Sequence, residues 1–373
     1  MLTHLAYKSQ RAYVFQDYIW GQHHYPWPLY KTWEIPSRTP LGALIGGPTA
    51  GGSWAPGDPA PRSIHEQHWD VVCPQERVKV VWTHEVKDKF SLRWATGKRI
   101  FDVWNQILLE ASEECVEVRP PSRDVEQEDR TPLFDWTVWG GGMILDMWED
   151  FRDSPVSKLL KASPIVQRAV ERNQHLFEPP SSSTENSQGP FARVLAVHVR
   201  RGDYLDHCTH LAKFASTFES WSALPWLPDR FAPPSGENKT EEQIQEVLSH
   251  CLPTTEQIIE KITQVRNDYE REVLGRTESH GHFITTLYIL TNAKSKWLDE
   301  FIKRLVKSHQ WKVITSRDIA LENAQEKDVG MAIDMEFARK SAIFLGNGWS
   351  SLTENVLHQR LIDGKVPTSN RFF

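Results

Sequence analysis

Val194-Leu195-Ala196-Val197-His198-Val199-Arg200-Arg201-Gly202-Asp203 is the segment of the sequence that indicates the architecture most clearly. Its first six residues are mostly apolar and include three valines, a composition typical of a buried strand. Two arginines, a glycine and an aspartate follow directly. In open α/β sheets, ligands bind beside the carboxyl ends of the strands, and the forked guanidinium group matches a phosphate. The sequence therefore predicts an anion site at the end of this strand.

Strands and helices alternate through the rest of the C-terminal half. Thr254 and Gln257 form a capping-box pattern at the start of an amphipathic helix. Three later apolar runs have the length of buried strands, and segments of helical periodicity separate them. The predicted strands are 286–290, 311–315 and 342–345, and the predicted helices are 254–273, 297–305, 329–340 and 350–361. With the strand at 194–200, this alternation predicts a doubly wound parallel sheet.

Composition limits the classes of function. The chain has 373 residues, of which 39% are hydrophobic and 25% charged, enough for two domains. The formal net charge is −6 and no basic run occurs, so a nucleic-acid partner is not predicted. No apolar stretch is long enough to predict a membrane span. The first fifteen residues do not show the basic, apolar and small-residue order of a signal peptide.

The N-terminal half has weaker patterns. We predict the end of a helix near Leu2–Leu5, a strand at 12–15, a long ordered loop at 21–65 and a strand at 78–82. Further helices are predicted over 101–118, after residue 143, and over 156–172, where Pro164 can break the helix. The segment 179–190 is rich in Pro, Ser and Gly, as linkers are. These patterns predict an N-terminal α/β domain over 1–185 and a C-terminal domain over 191–373.

A polar segment, 205–252, interrupts the C-terminal domain and is predicted to be an irregular insertion. Cys208 and Cys251 bracket it, and Asn238 lies in an Asn-Lys-Thr glycosylation pattern. A disulfide and a glycan there would indicate a secretory compartment. The alternatives are four buried free thiols and a chance Asn-Lys-Thr pattern.

A second predicted anion site is the turn Gly346-Asn347-Gly348-Trp349-Ser350-Ser351-Leu352-Thr353. Its hydroxyls and backbone N–H groups precede a helix, and a helix N-terminus favours anions. The alternative is simple capping, because Ser351 and Glu354 also form a capping-box pattern. The carboxylate of Glu354 would moreover repel an anion bound nearby.

Two motifs resemble those of GDP-fucose-dependent fucosyltransferases, both the protein O-fucosyltransferases and the α1,6 enzymes. The residues from His198 to Asp203 resemble the His-x-Arg motif of both groups. The segment Asp334–Val356, DMEFARKSAIFLGNGWSSLTENV, is similar to the protein O-fucosyltransferase signature. The resemblance covers about 190–360. It implies two Rossmann-like domains that face each other across a cleft (the glycosyltransferase B type), with the nucleotide sugar on the C-terminal domain.

The resemblance also implies roles for the first motif. Arg200 would hold the β-phosphate and the glycosidic oxygen, and would neutralise charge that grows on GDP as the fucosyl bond breaks. His198 would lie beside the ribose or the fucose. Arg201 and Asp203 would contact the nucleotide or brace the loop as an ion pair.

The second motif would bind the remaining parts of the donor. Asp334 would accept two hydrogen bonds from the guanine edge, although a solvated helix residue is the alternative. Ser350, Ser351 and Thr353 would bind the diphosphate. The chain contains no Asp-x-Asp metal-binding pair, which agrees with the metal-independent, inverting transfer that the resemblance implies. No cofactor is expected beyond the donor substrate, GDP-fucose.

The N-terminal half departs from the implied pattern. The resembling families open with a strand, a loop and a helix, and that loop supplies an Asn or Glu near the transferred sugar. This sequence starts inside the corresponding helix, at Leu2–Leu5, so we expect the loop to be missing and the domain truncated. Asp206 is an alternative catalytic base because it lies close to Arg200 in sequence.

Several functions fit these observations. The first is transfer of fucose to a hydroxyl of a protein or glycan acceptor, in the endoplasmic reticulum or the Golgi lumen. The others are a GDP-sugar-binding relative without activity, transfer of a different sugar, and adhesion through the tripeptide Arg201-Gly202-Asp203. Acceptor identity is not encoded in the recognisable motifs.

Overall fold

A computed structural model of the chain describes residues 1–21, 38–121, 133–140, 142–178, 189–202, 204–214, 216–233, 240–273, 275, 283–308 and 311–373. The chain forms two compact units. The N-terminal unit comprises Met1–Val166 with Lys327–Val329, and the C-terminal unit comprises Gln167–Glu326 with Gly330–Phe373.

The division between the units lies N-terminal to the predicted linker, most of which is outside the described residues. Side chains before the linker already bond within the C-terminal unit. The amide of Asn173 pairs with the backbone of Ala320 at 2.8 and 3.0 Å, and Arg172 forms an ion pair with Glu326. These bonds explain why the residues from Gln167 onwards belong to the second unit.

The N-terminal unit has short elements. Its helices are α1 (Leu2–Lys8), α2 (Leu41–Leu44), α3 (Trp69–Val72), α4 (Thr83–Phe90), α5 (Gly97–Glu110), α6 (Trp136–Gly140), α7 (Trp148–Asp153) and α8 (Pro155–Lys158). Its strands are β1 (Val14–Phe15), β2 (Tyr18–Ile19), β3 (Arg38–Thr39), β4 (Ile45–Gly46), β5 (Ile64–His65), β6 (Val78–Trp82), β7 (Cys115–Arg119) and β8 (Lys161–Ala162).

Within its described residues, this unit differs from the predicted Rossmann-like domain. The strands form four separate two-stranded sheets, of which β1–β5 and β6–β7 are parallel, while β2–β3 and β4–β8 are antiparallel. The predicted helix over 101–118 is wrong in its second half. Helix α5 ends at Glu110, and the β-branched alternation of Val116 and Val118 belongs to β7, which a disulfide joins to Cys73 through Cys115.

The C-terminal unit follows the predicted alternation closely. Its helices are α9 (Pro164–Asn173, which begins before the division), α10 (Tyr204–Phe214), α11 (Glu241–Cys251), α12 (Thr255–Glu272), α13 (Ser295–Ser308), α14 (Ala324–Asp328, whose last two residues belong to the N-terminal unit), α15 (Gly330–Lys340) and α16 (Ser351–Ile362). Its strands are β9 (Val194–Val199), β10 (Thr286–Thr291), β11 (Lys312–Thr315), β12 (Ile343–Gly346) and β13 (Asn370–Phe372).

The five strands form one parallel sheet in the order β11-β10-β9-β12-β13. The chain builds outward from β9 through β10 and β11, and then crosses to the other side of β9 to form β12 and β13. This order reversal is the topological switch point of a doubly wound sheet. Leu195, Val197 and Leu287 of the sheet are fully buried in the hydrophobic core. Burial of each such side chain contributes about 1.5–3 kcal/mol to the stability of the fold.

Two features of this unit differ from the predictions. Strand β13 was not predicted, because Asn370 and Arg371 are polar residues that are buried through partners: Asn370 accepts from Arg360 and Arg371 pairs with Asp229. The insertion predicted to be irregular contains the two helices α10 and α11. They pack together around a disulfide between the fully buried Cys208 and Cys251.

The helices described in this structure include none with the length and apolar character that crossing a membrane would require.

Candidate functional site

The switch point brings the two predicted anion sites to the same edge of the sheet. Strand β9 pairs directly with β12, with Val197 opposite Leu345. Both strands run in the same direction, so their carboxyl ends are adjacent. The arginine loop (Arg200–Gly202) follows β9, and the anion turn (Asn347–Ser350) follows β12. The sequence motifs therefore meet where α/β sheets bind ligands.

The two arginines of the arginine loop have different surroundings. Arg201 is held within the unit: its backbone N–H donates to Asn292 Oδ1 at 2.7 Å, and its guanidinium donates to the carbonyl of Pro253 and lies 5.0 Å from the ring centre of Trp297. The half-buried guanidinium of Arg200 lies 5.4 Å from the ring centre of Tyr204. Arg201 therefore connects the loop to Asn292 and Pro253, whereas Arg200 packs on the ring of Tyr204.

The glycine of the arginine loop is required by the backbone. Gly202 has a φ of +68°, in the left-handed region that residues with a Cβ rarely adopt. A Cβ at this position would also lie 3.3 Å from the side-chain nitrogen of Asn292. The loop is thus bonded through Arg201 to Asn292, directly after β10, and passes close to the same side chain at Gly202.

The anion turn is fixed by the buried side chain of Asn347. Its Nδ2 donates to the carbonyl of Cys251 at 2.6 Å, and its Oδ1 accepts from the N–H of Trp349 at 3.0 Å. Gly348 packs so closely on Phe218 that a Cβ would approach the ring to 2.4 Å. The N–H groups of Asn347, Trp349 and Ser350 already donate within the protein, to Thr353 Oγ1, Asn347 Oδ1 and the Asn347 carbonyl. These bonds fix the shape of the turn, and the backbone donors for an anion are those at the start of the helix that follows.

The turn leads into α16, whose N-cap residue is Ser350. The alternative capping box of Ser351 with Glu354 does not form, because Ser351 is already the first helical residue and the N-cap makes no side-chain capping bond. Ser350 is 7% exposed and Ser351 is exposed. Their hydroxyls and the N-terminus of a twelve-residue helix provide the donors that an anion site needs.

His198 and Thr353 lie beneath the edge and contact each other. Nδ1 of His198 is hydrogen-bonded to the Thr353 hydroxyl at 2.9 Å, and that hydroxyl also accepts from the N–H of Asn347 at 3.1 Å. Thr353 is 0% exposed and His198 is 3% exposed. Burial, and next the charge of Arg200, lower the pKa of His198 to about 3, so the ring is neutral. Through these hydrogen bonds, the two residues connect β9 to the anion turn.

Asp334 lies in the first half of α15. Its two carboxylate oxygens accept from the hydroxyl of Tyr288 at 2.6 Å and from the hydroxyl of Ser316 at 2.7 Å. Burial raises its pKa to about 6, although both hydrogen bonds favour the ionised form. Each oxygen keeps a second lone pair, so the carboxylate can still accept hydrogen bonds from a ligand.

Glu354, in the first turn of α16, does not carry the negative charge that the sequence suggests. Burial, and next the nearby carboxylate of Glu219, raise its pKa to about 8. Burial likewise raises the pKa of Glu219 to about 6. Glu354 is therefore mostly protonated at neutral pH, and its repulsion of an anion at the turn is removed.

The remaining predicted residues have mixed outcomes. Cys208 and Cys251 form a disulfide, and Asp206 is exposed on α10. Asp203 and Asn238 lie outside the described residues.

Sequence reasoning missed the roles of Tyr204 and Asn347. Tyr204 donates from its hydroxyl to the carbonyl of Trp349 at 2.8 Å, which bridges the arginine loop and the anion turn. Its partner is 145 residues away, so no local pattern reveals the contact.

A separate concave feature lies in the N-terminal unit. An open cavity of about 1530 Å³ is lined by consecutive residues of β7 (Cys115–Val118) and by the segment Ser9–Val14 that includes the start of β1. Apolar side chains such as Leu5 and Phe134 also line it. None of the predicted donor-site residues lines this cavity.

The fold is similar to that of an enzyme of known structure. A crystal structure of POFUT1, an O-fucosyltransferase, in complex with GDP matches with a TM-score of 0.50 and 15% identity, covering 100% of this chain and 92% of that chain. A crystal structure of POFUT1 in complex with GDP-fucose matches with a TM-score of 0.51 and 14% identity over the same shares. At this identity the similarity concerns the fold. No protein-family model and no curated protein sequence matches the chain.

Proposed function

We propose that the chain binds GDP-fucose in its C-terminal unit and transfers the fucosyl group to an acceptor hydroxyl on a protein or glycan. The observation that supports the proposal is that the arginine loop and the anion turn follow two neighbouring parallel strands at the switch point of the sheet. The fold shared with POFUT1 structures that contain GDP and GDP-fucose supports the same ligand class.

The site provides positive charge where the reaction needs it. When the bond from the sugar to the β-phosphate oxygen breaks, the electron pair leaves with GDP. Arg200 and the N-terminus of α16 stabilise this charge. The configuration inverts because the acceptor hydroxyl attacks the face of the sugar opposite to the breaking bond, and the proton of that hydroxyl passes to water. Because the protein itself supplies positive charge that can stabilise the departing GDP, we propose a transfer without a metal ion.

Asp334 would select the base of the nucleotide. The guanine edge presents two adjacent N–H groups, and an ionised carboxylate can accept from both. Tyr288 and Ser316 hold the Asp334 carboxylate in one orientation. This orientation supports the proposal that the site prefers guanine nucleotides.

The acceptor side is assigned by this proposal to the N-terminal unit, whose cavity is independent of the donor residues. The two disulfides support a secretory-pathway location, because disulfides persist in oxidising compartments. Two disulfides account for all four cysteines.

Substitution of Arg200 tests the donor site. Arg200→Ala removes a charged donor to the diphosphate, and we expect GDP to bind roughly ten- to hundredfold more weakly by calorimetry. Arg271→Ala is the matched control, because Arg271 is exposed and pairs with Asp268 and Glu272 on the surface of α12. An unchanged dissociation constant in Arg200→Ala would exclude this site for the nucleotide.

A second assay separates an enzyme from a binding protein. An active transferase releases GDP from GDP-fucose when an acceptor is present, and Arg200→Ala should abolish this release. Tight GDP binding without release over a panel of protein and glycan acceptors would instead favour the inactive GDP-sugar-binding relative.

A further inference from the structure

We infer that the Cys208–Cys251 disulfide is a positioning element of the donor site, which fixes the arginine loop and the anion turn relative to each other. The inference rests on the proposed function for its ligand. From the sequence, this disulfide indicates only a secretory compartment.

The first cysteine is connected to the arginine loop. Cys208 lies on α10, which begins at Tyr204, two residues after the loop ends at Gly202. Tyr204 is one helical turn before Cys208, so both side chains lie on the same face of α10. The ring of Tyr204 lies under the guanidinium of Arg200, and its hydroxyl donates to the carbonyl of Trp349 in the anion turn.

The second cysteine is connected to both parts of the site. The carbonyl of Cys251 accepts the 2.6 Å bond from Nδ2 of Asn347, the residue that fixes the anion turn. Two residues further on, the carbonyl of Pro253 accepts from the guanidinium of Arg201. The end of α11 thus contacts the anion turn through one backbone carbonyl and the arginine loop through another.

The disulfide joins these contacts into one continuous path, in which the last link is the hydrogen bond between Cys251 and Asn347. It runs from the arginine loop through α10 to Cys208, across to Cys251, and through Asn347 to the anion turn. Both cysteines are 0% exposed, and α10 packs along α11. Without the covalent link, the position of the Cys251 carbonyl relative to α10 would depend on packing alone. The turn and Arg200 would then sample a wider range of separations, and a ligand would have to order them on binding.

The N-terminal unit provides a matched control. The Cys73–Cys115 disulfide closes a loop of nearly equal length, with a sequence separation of 42 compared with 43 for Cys208–Cys251. The two disulfides therefore reduce the conformational entropy of the unfolded chain by nearly the same amount. A disulfide that acts only on stability should have the same effect at either place.

The experiment compares Cys208→Ala/Cys251→Ala with Cys73→Ala/Cys115→Ala, each measured well below its melting temperature. In the absence of ligand, amide hydrogen exchange should become faster at 200–202 and 347–350 in the first variant and stay unchanged there in the second. GDP should bind about tenfold more weakly to the first variant and with wild-type affinity to the control. Equal exchange and equal affinity in the two variants would overturn the inference.

The exchange measurement separates this inference from the proposed function. If the wild type does not bind GDP, the proposed function is wrong. Faster exchange at both segments in the first variant would then still support the positioning role. If the first variant does not fold, Cys208→Val/Cys251→Ala replaces it, because valine fills more of the buried space while the covalent link is still absent. Faster exchange at 347–350 is then expected, and unchanged exchange would overturn the inference.

Discussion

Asp334 shows how burial sets the working range of a single residue. Its ordinary pKa of 3.8 is raised to about 6, so the carboxyl is protonated at a higher pH in the folded protein than in the unfolded chain, although it is mostly ionised at neutral pH. The stability that this shift contributes is fully present below pH 3.8 and is lost as the pH rises through about 6. To accept hydrogen bonds from the guanine edge, Asp334 must be ionised, whereas its burial favours the protonated form.

We expect GDP affinity to fall by up to about tenfold per pH unit below pH 6, as Asp334 becomes protonated. Asp334→Asn should bind GDP more weakly at neutral pH and should lack this pH dependence. Calorimetric titrations from pH 5 to 7 measure the ratio of the GDP affinity of the wild type to that of Asp334→Asn. Protonation of the GDP phosphate affects both proteins equally, so it does not change this ratio. A ratio that stays constant over this range would contradict base recognition by Asp334.

At the scale of elements, α16 shows how a helix N-terminus becomes compatible with an anion. The first turn carries a glutamate, which by composition should repel phosphate. Burial and Glu219 instead keep Glu354 neutral up to about pH 8. Because the folded pKa lies above the ordinary 4.5, the associated stability is present below pH 4.5 and is lost as the pH rises towards 8.

Ionisation of Glu354 should therefore weaken donor binding at alkaline pH. We expect the GDP affinity of the wild type to decrease, by on the order of tenfold, as the pH rises from 7 to 9. Glu354→Gln keeps the size and the neutral state of the side chain, so its affinity should stay level. Superimposable profiles of the two proteins would show that Glu354 does not face the bound anion.

Elements with a continuous local pattern were predictable from the sequence. The apolar runs of β9, β10 and β12 gave strands within one or two residues of the structure, and the capping box of Thr254 and Gln257 is present at the start of α12. Elements stabilised by distant partners were not. Strand β13 contains Arg371, whose partner Asp229 is 142 residues away, and the bond between Asn347 and Cys251 spans 96 residues. Periodicity contains no information on such contacts.

For the whole molecule, the two units have different properties. The C-terminal unit contains a single parallel sheet and every described residue of the predicted donor site. The described part of the N-terminal unit contains four short strand pairs and an open cavity beside β7. The resemblance found in the sequence covers the first of these only, which is why the donor residues could be named from sequence and the acceptor side could not.

This difference predicts how ligands act on the whole chain. GDP should slow amide hydrogen exchange in the C-terminal unit, at 200–202, at 347–350 and around Asp334, because ordered contacts there restrict local opening. The segments that line the N-terminal cavity, 9–14 and 115–118, should keep their exchange rates in GDP alone. An acceptor peptide or glycan should then protect one or both of these two segments. Protection of the cavity by GDP to the same degree as the anion turn would instead assign the nucleotide to the N-terminal unit, and the carboxyl edge of the C-terminal sheet would lose its proposed role.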